Sequence, residues 1–357
     1  MTYDFFSKLF GSDLIAALIQ SLLPLFIFIL PYALFAVWWE RKVSAHMQDR
    51  LGPMRVGWHG ALQTIADILK LFQKEDIVAS SIDKPLFNIA PVLMFVGTYA
   101  AFAAIPFSSV FIGSNLDLGV FFIVAVSGFS VAAILMAGWA SDNKYSLIGA
   151  MRSAAQIISY EIPTILVIIT IVMVTGTLNL TTLSEMQTGH FWNWMILGGP
   201  GSSLSKFLLI PSMILGFGII YISTLAEVNR TPFDIPEAES ELVAGYHTEY
   251  SGMKFAMFFL AEYANMLAVS SVVAALFFGG YQSPCGYLGN LIGLKWLIPI
   301  EQIFWFTAKG LFFVFVQMWL RWTLPRLRVD QLMNTCWKYL IPLAFVNLII
   351  IGLITLI

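Results

Sequence analysis

The chain has 357 residues, of which 59% are hydrophobic and 11% are charged, and its mean hydropathy is +0.81. A soluble domain carries about 25% charged residues, so the composition excludes a soluble protein and predicts a polytopic membrane protein. The formal net charge of −2 gives no sign of nucleic-acid binding. The two cysteines lack metal or redox spacing, and no flavin, iron–sulfur or nucleotide motif is found. Any redox cofactor is therefore expected on a partner, and no metal site is expected in this chain.

Hydropathy divides the chain into eight apolar segments that are long enough to cross a bilayer as helices. They are expected at about Leu14–Trp39, Leu86–Phe107, Leu118–Ala140, Ile157–Leu178, Phe207–Val228, Phe255–Phe278, Ile300–Leu320 and Tyr339–Ile357. The sequence shows no repeat that is typical of inverted-repeat transporters. Residues 1–357 are therefore predicted to form a single all-α membrane domain with eight transmembrane helices.

Lysine and arginine are distributed unevenly between the loops on the two sides of the membrane. Fifteen of them lie in the loops that follow the first, third, fifth and seventh spans, whereas the opposite side has only Lys8, Lys206 and Lys295. Loops rich in these residues stay in the cytoplasm. Both termini are therefore expected outside, and the charged loops are expected inside.

The first cytoplasmic loop, residues 40–84, contains a segment with helical periodicity between Trp58 and Lys74. Its apolar positions are Ala61, Leu62, Ile65, Ile68, Leu69 and Phe72. Separated apolar and polar faces predict an amphipathic helix over 58–74. Its apolar face is too narrow to span, so the helix is expected to lie in the membrane interface. The alternative is an ordinary surface helix that packs on a partner.

The cytoplasmic loop 229–253 is acidic and contains only one arginine, Arg230. Its carboxylates are Asp234, Glu237, Glu239, Glu241 and Glu249. Acids at membrane depth mark proton paths, but Asp234 followed by Glu237 also fits a helix N-cap with a capping box. If the segment is helical from about Ile235, Glu237 and Glu241 lie four residues apart on one face.

Four ionisable residues fall within the predicted spans or at their ends. Glu161 is expected near the cytoplasmic start of the fourth span, Glu227 at the cytoplasmic end of the fifth, Glu262 in the sixth and Lys309 in the seventh. A central charge costs roughly 2.5–3.5 kcal/mol. An ion pair with Lys309 would explain one acid, and the remaining acids favour protonatable glutamates of a proton path.

Two other residues, Pro163 and Arg41, lead to further expectations. Pro163 cannot donate a hydrogen bond to the Ser159 carbonyl, which leaves a free acceptor beside Glu161 where a water can bind. At the end of the first span, Arg41 directly follows Glu40, and the two are candidates for an ion pair at the membrane interface.

Five motifs, in order across nearly the whole chain, resemble those of a membrane-subunit family, the H subunits of respiratory NADH:quinone oxidoreductase, complex I. The mitochondrial counterpart is NADH dehydrogenase subunit 1. The motifs are Glu40-Arg-Lys-Val with Met47-Gln-Asp-Arg-Leu-Gly-Pro, Ala155-Gln-Ile-Ile-Ser-Tyr-Glu, Ala226-Glu-Val-Asn-Arg-Thr-Pro-Phe-Asp with Glu239-Ser-Glu-Leu-Val, Ala261-Glu-Tyr-Ala-Asn, and Thr323-Leu-Pro-Arg-Leu-Arg-Val-Asp-Gln-Leu-Met. Small departures, such as Val329 where an aromatic residue is common, affect packing only.

The resemblance implies a membrane subunit of a proton-pumping enzyme complex in the bacterial inner membrane, with both termini periplasmic. Its implied partners are two peripheral subunits, B and D, the adjacent small membrane subunits and membrane lipid. Quinone is the implied substrate, and FMN and iron–sulfur clusters are implied only on other subunits. The implied quinone-channel residues are Arg41, Arg50, Asp67, Arg230, Phe233 and Phe259. The implied proton-path acids are Glu161, Glu227, Glu237, Glu241 and Glu262.

Two other classes of protein remain as alternatives. The homologous subunit of a membrane-bound hydrogenase would share these features without using a quinone. A stand-alone ion transporter is disfavoured by the absence of inverted repeats and by the many arginines of the cytoplasmic loops. Purification in mild detergent distinguishes them, because a transporter is expected alone and a hydrogenase component with its hydrogenase partners.

Overall fold

The computed structural model describes Leu22 and residues 25–200, 203–235 and 239–356. Every regular element in this part of the chain is helical, which confirms the predicted all-α class. Seven of the described helices are long and apolar enough to cross a membrane. The first predicted span, Leu14–Trp39, lies partly outside the described residues, so these seven are consistent with the eight predicted.

The longer helices are labelled here in chain order. They are α1 Leu30–Met47, α2 Gln63–Gln73, α3 Lys84–Ala104, α4 Gly119–Ala140, α5 Lys144–Thr175, α6 Ser203–Glu227, α7 Gly252–Phe277, α8 Ile298–Thr323 and α9 Ile341–Thr355. π-Helical turns, Leu25–Ile29 and Thr335–Leu340, precede α1 and α9. Shorter helices lie at Leu180–Met186, Glu239–Leu242, Leu288–Ile292 and Val329–Asn334.

Helix α5 is much longer than hydropathy indicated. It was expected to begin at Ile157 but begins at Lys144, where the side chain of Asn143 accepts a hydrogen bond from the backbone of Tyr145 at 2.9 Å. Its 32 residues extend about 48 Å. The polar residues of its first turns, such as Arg152, hid this part of the helix from a hydropathy window. Glu161 was expected near the start of this helix but lies 17 residues from it.

Two other helix boundaries also differ from those predicted. The amphipathic helix, expected over 58–74, is confined to Gln63–Gln73, because His59 adopts a φ of 52° and the chain makes a 3₁₀ turn before the helix. In the acidic loop, Ile235 is not helical, and the described helix covers only Glu239–Leu242. Glu237 lies outside the described residues.

Helix α7 lies at the centre of the bundle. It packs against α3, α8 and α6, while α5 packs against α4, α6 and α9. In the most apolar stretch of α7, 72% of the residues are buried, compared with 22% in the stretch that contains α9. A helix that is apolar on all sides belongs in a core. Polar side chains on α7 therefore face protein and not lipid, and Glu262 is one of them.

Candidate functional site

Gln156 on α5 organises the turn that follows α6. Its side-chain nitrogen lies 2.8 Å from the carbonyl oxygens of both Ala226 and Phe233, and 3.1 Å from the Oδ1 atom of Asn229. Asn229 has a φ of 54° and reverses the direction of the chain. The turn buries the next residue, Arg230, which is only 2% exposed.

Arg230 is the centre of a buried charge cluster formed by Glu40, Arg230, Glu262, Tyr263 and Arg321. Its Nη1 atom lies 2.9 Å from Oε1 of Glu40, and its Nε atom lies 2.9 Å from Oε1 of Glu262. Tyr263 donates from its hydroxyl to Oε2 of Glu40 at 2.6 Å, and Arg321 also pairs with Glu40. The guanidinium of Arg230 stacks over the Tyr263 ring, 4.6 Å from its centroid.

The charge cluster contains two carboxylates and two guanidinium groups. Burial alone would lower the pKa of Arg230, but the carboxylates of Glu262 and Glu40 raise it above its ordinary value, so Arg230 stays charged. Buried charges are tolerated when they are paired and hydrogen-bonded. A balanced cluster of this kind is sensitive to any charge that appears beside it.

Glu161 and Glu227 line one cavity between the helices. Its volume is about 60 Å³, enough for a few water molecules. Ser127 on α4 is 3.5 Å from Oε1 of Glu161. The other polar side chains around the cavity are Thr98, Ser130, Thr164, Thr224 and Asn265. Water in such a cavity would have enough polar partners to relay a proton between the two glutamates.

A second, smaller cavity connects Glu227 with the charge cluster. Its volume is about 10 Å³, roughly that needed for one water, and its lining includes both Glu227 and Glu262. Ser130 and Asn265 line both cavities. The structure thus brings three of the predicted acids, Glu161, Glu227 and Glu262, into one line that ends at Arg230. We refer to these three glutamates as the acid chain.

The acids of the loop 229–253 lie elsewhere. Glu241 is exposed and pairs with Arg152 of α5, with 2.7 Å between Oε2 and Nη1, and it lines neither cavity. Asp234, predicted as a helix cap, pairs with Arg326 at 3.2 Å. Glu237 is outside the described residues, so its predicted pairing with Glu241 stays a prediction.

Among the predicted quinone-channel residues, Arg41 and Asp67 are in direct contact. The Nη1 atom of Arg41 lies 2.6 Å from Oδ2 of Asp67, and Gln63 donates to the other carboxylate oxygen at 3.2 Å. The expected pair between Arg41 and Glu40 is therefore not formed, because Glu40 turns into the bundle toward Arg230. The contact with Asp67 joins the exposed end of α1 to the amphipathic helix α2.

The remaining channel candidates have different surroundings. Phe259 is 37% exposed and packs on Tyr263 of the charge cluster, with ring centroids 4.8 Å apart. Phe233 is only 4% exposed and contacts Tyr160 in the core. Arg50 is exposed and donates to Gln48 at 2.8 Å. The structure thus brings Phe259 beside the charge cluster of Arg230 and joins Arg41 to Asp67, while the Phe233 side chain is buried against Tyr160 and Arg50 stays at the surface.

Two polar groups in the spans have partners that the sequence did not indicate. Lys309, considered from the sequence as a possible ion-pair partner of one glutamate, forms none of the ion pairs found among the described residues and contacts three backbone carbonyls. The Ser159 carbonyl, which Pro163 leaves without a backbone donor, accepts from the Cys336 thiol at 3.1 Å, and its second lone pair stays available to water.

The sequence interpretation missed several residues of this site. Four of its residues were not predicted as functional, although three of them lie in the motifs described above: Glu40, Tyr263 and Gln156, with Arg321 as the fourth. A charged residue at the end of an apolar segment resembles ordinary topology signals, so hydropathy cannot single it out. Among the described residues, no three His, Cys, Asp or Glu side chains converge as a metal site.

Fold and site together define an all-helical membrane protein that carries buried, partly paired carboxylates between its helices. A family model described as NADH dehydrogenase matches residues 19–352. The H subunit of NADH-quinone oxidoreductase from Chlorobium luteolum is 53% identical over 338 residues, which cover 93% of this chain and 87% of the relative. The H subunit from Chlorobaculum tepidum is 52% identical, and the match covers 93% of this chain and 90% of that relative. One from Cytophaga hutchinsonii is 46% identical, and the match covers 91% of this chain and 95% of that relative.

The chain therefore belongs to the NADH dehydrogenase family and, within it, to the H subunits of NADH-quinone oxidoreductase. This confirms the resemblance seen in the five sequence motifs. It also confirms the expectation of a membrane-embedded subunit of an enzyme complex. Family membership thus favours the subunit of NADH:quinone oxidoreductase over the two alternatives, a subunit of a membrane-bound hydrogenase and a stand-alone ion transporter.

Proposed function

We propose that this chain forms the membrane end of a quinone-binding chamber and couples quinone reduction to proton translocation. Electrons would reach the quinone from NADH through FMN and iron–sulfur clusters on other subunits of the complex. Two peripheral subunits, B and D, would close the chamber above this chain, and small membrane subunits would adjoin its acid chain. The site would lie in a bacterial inner membrane, with both termini periplasmic and the charged loops in the cytoplasm.

The observation that carries this proposal is the continuity between the charge cluster and the acid chain. Glu262 pairs with Arg230 on one side and lines the small cavity with Glu227 on the other. Glu227 in turn lines the larger cavity with Glu161. A change of charge near Arg230 can therefore affect Glu262, then Glu227 and then Glu161, because each of these groups adjoins the next.

The exposed side of the charge cluster suits the entry of a quinone. Arg41 and Asp67 join α1 to α2, and Phe259 offers an aromatic face beside Tyr263. The apolar residues Leu62, Ile65, Leu69 and Phe72 on or beside α2 are exposed, as expected of a helix that lies in the membrane interface. A quinone with an isoprenoid tail would approach between these helices and present its polar head near Arg230.

Charge coupling gives the proposed direction of events. Reducing the quinone draws protons and places a transient negative charge near Arg230, which weakens the attraction of Arg230 for Glu262. Glu262 then binds a proton more readily, and Glu227 and Glu161 respond in sequence through the cavities. Moving one charge against 100 mV requires about 2.3 kcal/mol. Glu237 and Glu241 would serve at the cytoplasmic surface as acids that collect protons.

The test is the proton-to-electron ratio of the intact complex in proteoliposomes. Glu227→Gln keeps the size and hydrogen-bonding capacity of the side chain but removes the exchangeable proton, so it should lower both the ratio and quinone reductase activity while the complex still assembles. The matched control is Glu185→Gln, at an exposed acid in the helix Leu180–Met186 that lines neither cavity. Unchanged turnover and unchanged pumping in Glu227→Gln would overturn the proposal.

A further inference from the structure

Lys309 on α8 has surroundings unlike those of the buried acids. Its Nζ atom lies 2.6 Å from the carbonyl oxygen of Phe278, 2.9 Å from that of Gly280 and 2.6 Å from that of Gln282. It also lies over the ring of Trp194, 4.4 Å from the centroid. We refer to these three carbonyl oxygens as the carbonyl cradle. None of the ion pairs among the described residues involves Lys309.

The three oxygens of the carbonyl cradle suit a charged amine. An ammonium group has three N–H donors, one for each oxygen, whereas a neutral amine has only two. The carbonyls lie just beyond the C-terminal end of α7, where the helix dipole favours a cation. The face of Trp194 attracts a cation as well. The oxygens, the dipole and the ring together favour the charged form of Lys309, and none of the ion pairs among the described residues supplies it with a carboxylate.

The backbone of the cradle is shaped for this purpose by two glycines. Gly279 and Gly280 adopt φ values of 73° and 52°. A Cβ atom on Gly279 would come within 2.6 Å of the Trp194 indole nitrogen, and one on Gly280 within 2.2 Å of the Ser184 hydroxyl. The Gly279 amide donates to Gln187 at 3.0 Å. A residue with a side chain at position 279 or 280 would collide with Trp194 or Ser184 and displace the carbonyl oxygens of the cradle. The glycines therefore keep the site of Lys309 in one conformation.

The cradle lies beyond the acid chain, on the side opposite the acidic loop. Along α7, the wall of the larger cavity runs from Asn265 to Val272. Phe278 follows Val272 by six residues, about 9 Å of helical rise. We propose that Lys309 is an electrostatic barrier that stops protons in the Glu161–Glu227 cavity from leaving toward the outer face. The proposal rests on the proton-path function proposed above and adds the reason why that path does not leak outward.

The size of the effect follows from Coulomb's law. A unit charge on the order of 10 Å from an approaching proton, in a partly buried setting, slows that approach on the order of tenfold. Fixed cations act in this way in pores that must exclude protons. Protons would then leave the cavity only sideways, toward neighbouring membrane subunits.

The experiment measures passive proton flux through the intact complex in proteoliposomes. A potassium gradient with valinomycin drives protons inward without turnover, and an internal pH dye reports their entry. Lys309→Gln removes the charge and should raise the proton permeability on the order of tenfold. Lys309→Arg keeps the charge and should stay as tight as the unmodified complex. Lys309→Met provides a second neutral variant if Lys309→Gln reduces assembly.

Two further variants separate a barrier from simple loosening of the structure. Trp194→Ala removes the ring but keeps the charge, so it should remain tight; a leak as large as that of Lys309→Gln would overturn the proposal. Combining Lys309→Gln with Glu227→Gln should suppress the leak, because the protons pass through the acid chain. If neutral variants at 309 stay tight while Glu227→Gln alone still impairs pumping, the barrier is wrong and the proposed coupling function stands. If the neutral variants at 309 leak, but Glu227→Gln neither alters pumping nor suppresses their leak, the protons do not pass through Glu227 and the proposed proton path is wrong.

Discussion

Arg230 and Glu40 are 190 residues apart in the chain, yet the guanidinium Nη1 lies 2.9 Å from one carboxylate oxygen and 3.1 Å from the other. Both side chains are almost completely buried. Their contact fixes α1 against the turn that follows α6. Glu227 of the acid chain is the last residue of α6, directly before that turn, so one ion pair joins the expected quinone side of the molecule to the proton side.

Removing Arg230 should therefore destabilise the subunit strongly. Arg230→Leu leaves the Glu40 and Glu262 carboxylates facing each other without the guanidinium between them, and breaking a buried pair typically costs about 3–5 kcal/mol. We expect a lower Tm of the purified complex and less of this chain on native gels. Combining Arg230→Leu with Glu40→Gln should destabilise less than the sum of the two single changes, because the two groups interact directly. Additive losses would mean that the contact contributes little.

Loss of Arg41 should affect quinones with long tails most. Arg41→Ala breaks the 2.6 Å contact with Asp67 and frees α2 from α1, while the charge cluster keeps its own pairs. NADH oxidation should fall more with a long-tailed quinone than with a short, water-soluble analogue, and Asp67→Asn should show the same preference. Lys70→Ala is the control, since it removes a charge from the same helix without touching Arg41. An equal loss with both quinones would indicate a purely structural role for the contact.

The surface pair between Glu241 and Arg152 should contribute little to stability. It is partly exposed on both sides, and such pairs are worth about 0–1 kcal/mol. Neither Glu241→Gln nor Arg152→Gln should shift the Tm measurably. If Glu241 nevertheless collects protons, Glu241→Gln should slow pumping while Arg152→Gln does not. Equal slowing by the two variants would show that the pair acts through the shape of the loop.

The two cysteines provide a test of orientation. Cys285 is exposed in the segment between α7 and α8, whereas Cys336 is buried. A membrane-impermeant maleimide applied to the periplasmic side should label Cys285 and leave Cys336 unmodified until the protein is denatured. Cys285→Ser should abolish the labelling. Labelling of Cys285 only from the cytoplasmic side would reverse the predicted topology.

Composition and hydropathy were enough to predict the helical membrane class and most of the spans. Runs of apolar residues are a local property, and lipid leaves the backbone no alternative to a helix, so composition and hydropathy are sufficient for this level of the fold. Hydropathy patterns failed where polar residues are helical and where residues with a helical pattern are not. The first turns of α5 contain Arg152 and other polar residues, and Trp58 precedes a left-handed residue that no hydropathy pattern reports.

The sequence also singled out the acids that line the two cavities, because a carboxylate within an apolar run carries a large desolvation penalty. Glu161, Glu227 and Glu262 were predicted in this way, and the motifs added Arg230. Arg41 and Asp67 were predicted only from the resemblance. Glu40 and Arg321 were passed over, since a charge at the end of a span has an ordinary explanation.

The partners of these charges follow from the packing of the helices and could not be predicted from the sequence. Glu40 was a candidate partner of its neighbour Arg41 but pairs with Arg230 and Arg321, and Lys309, for which a glutamate partner was one alternative, binds three carbonyls. Pairing inside a membrane protein depends on how helices distant in sequence pack and on the direction in which each side chain is buried. Those directions follow from the whole bundle, because one turn held by Gln156 determines where Arg230 can reach.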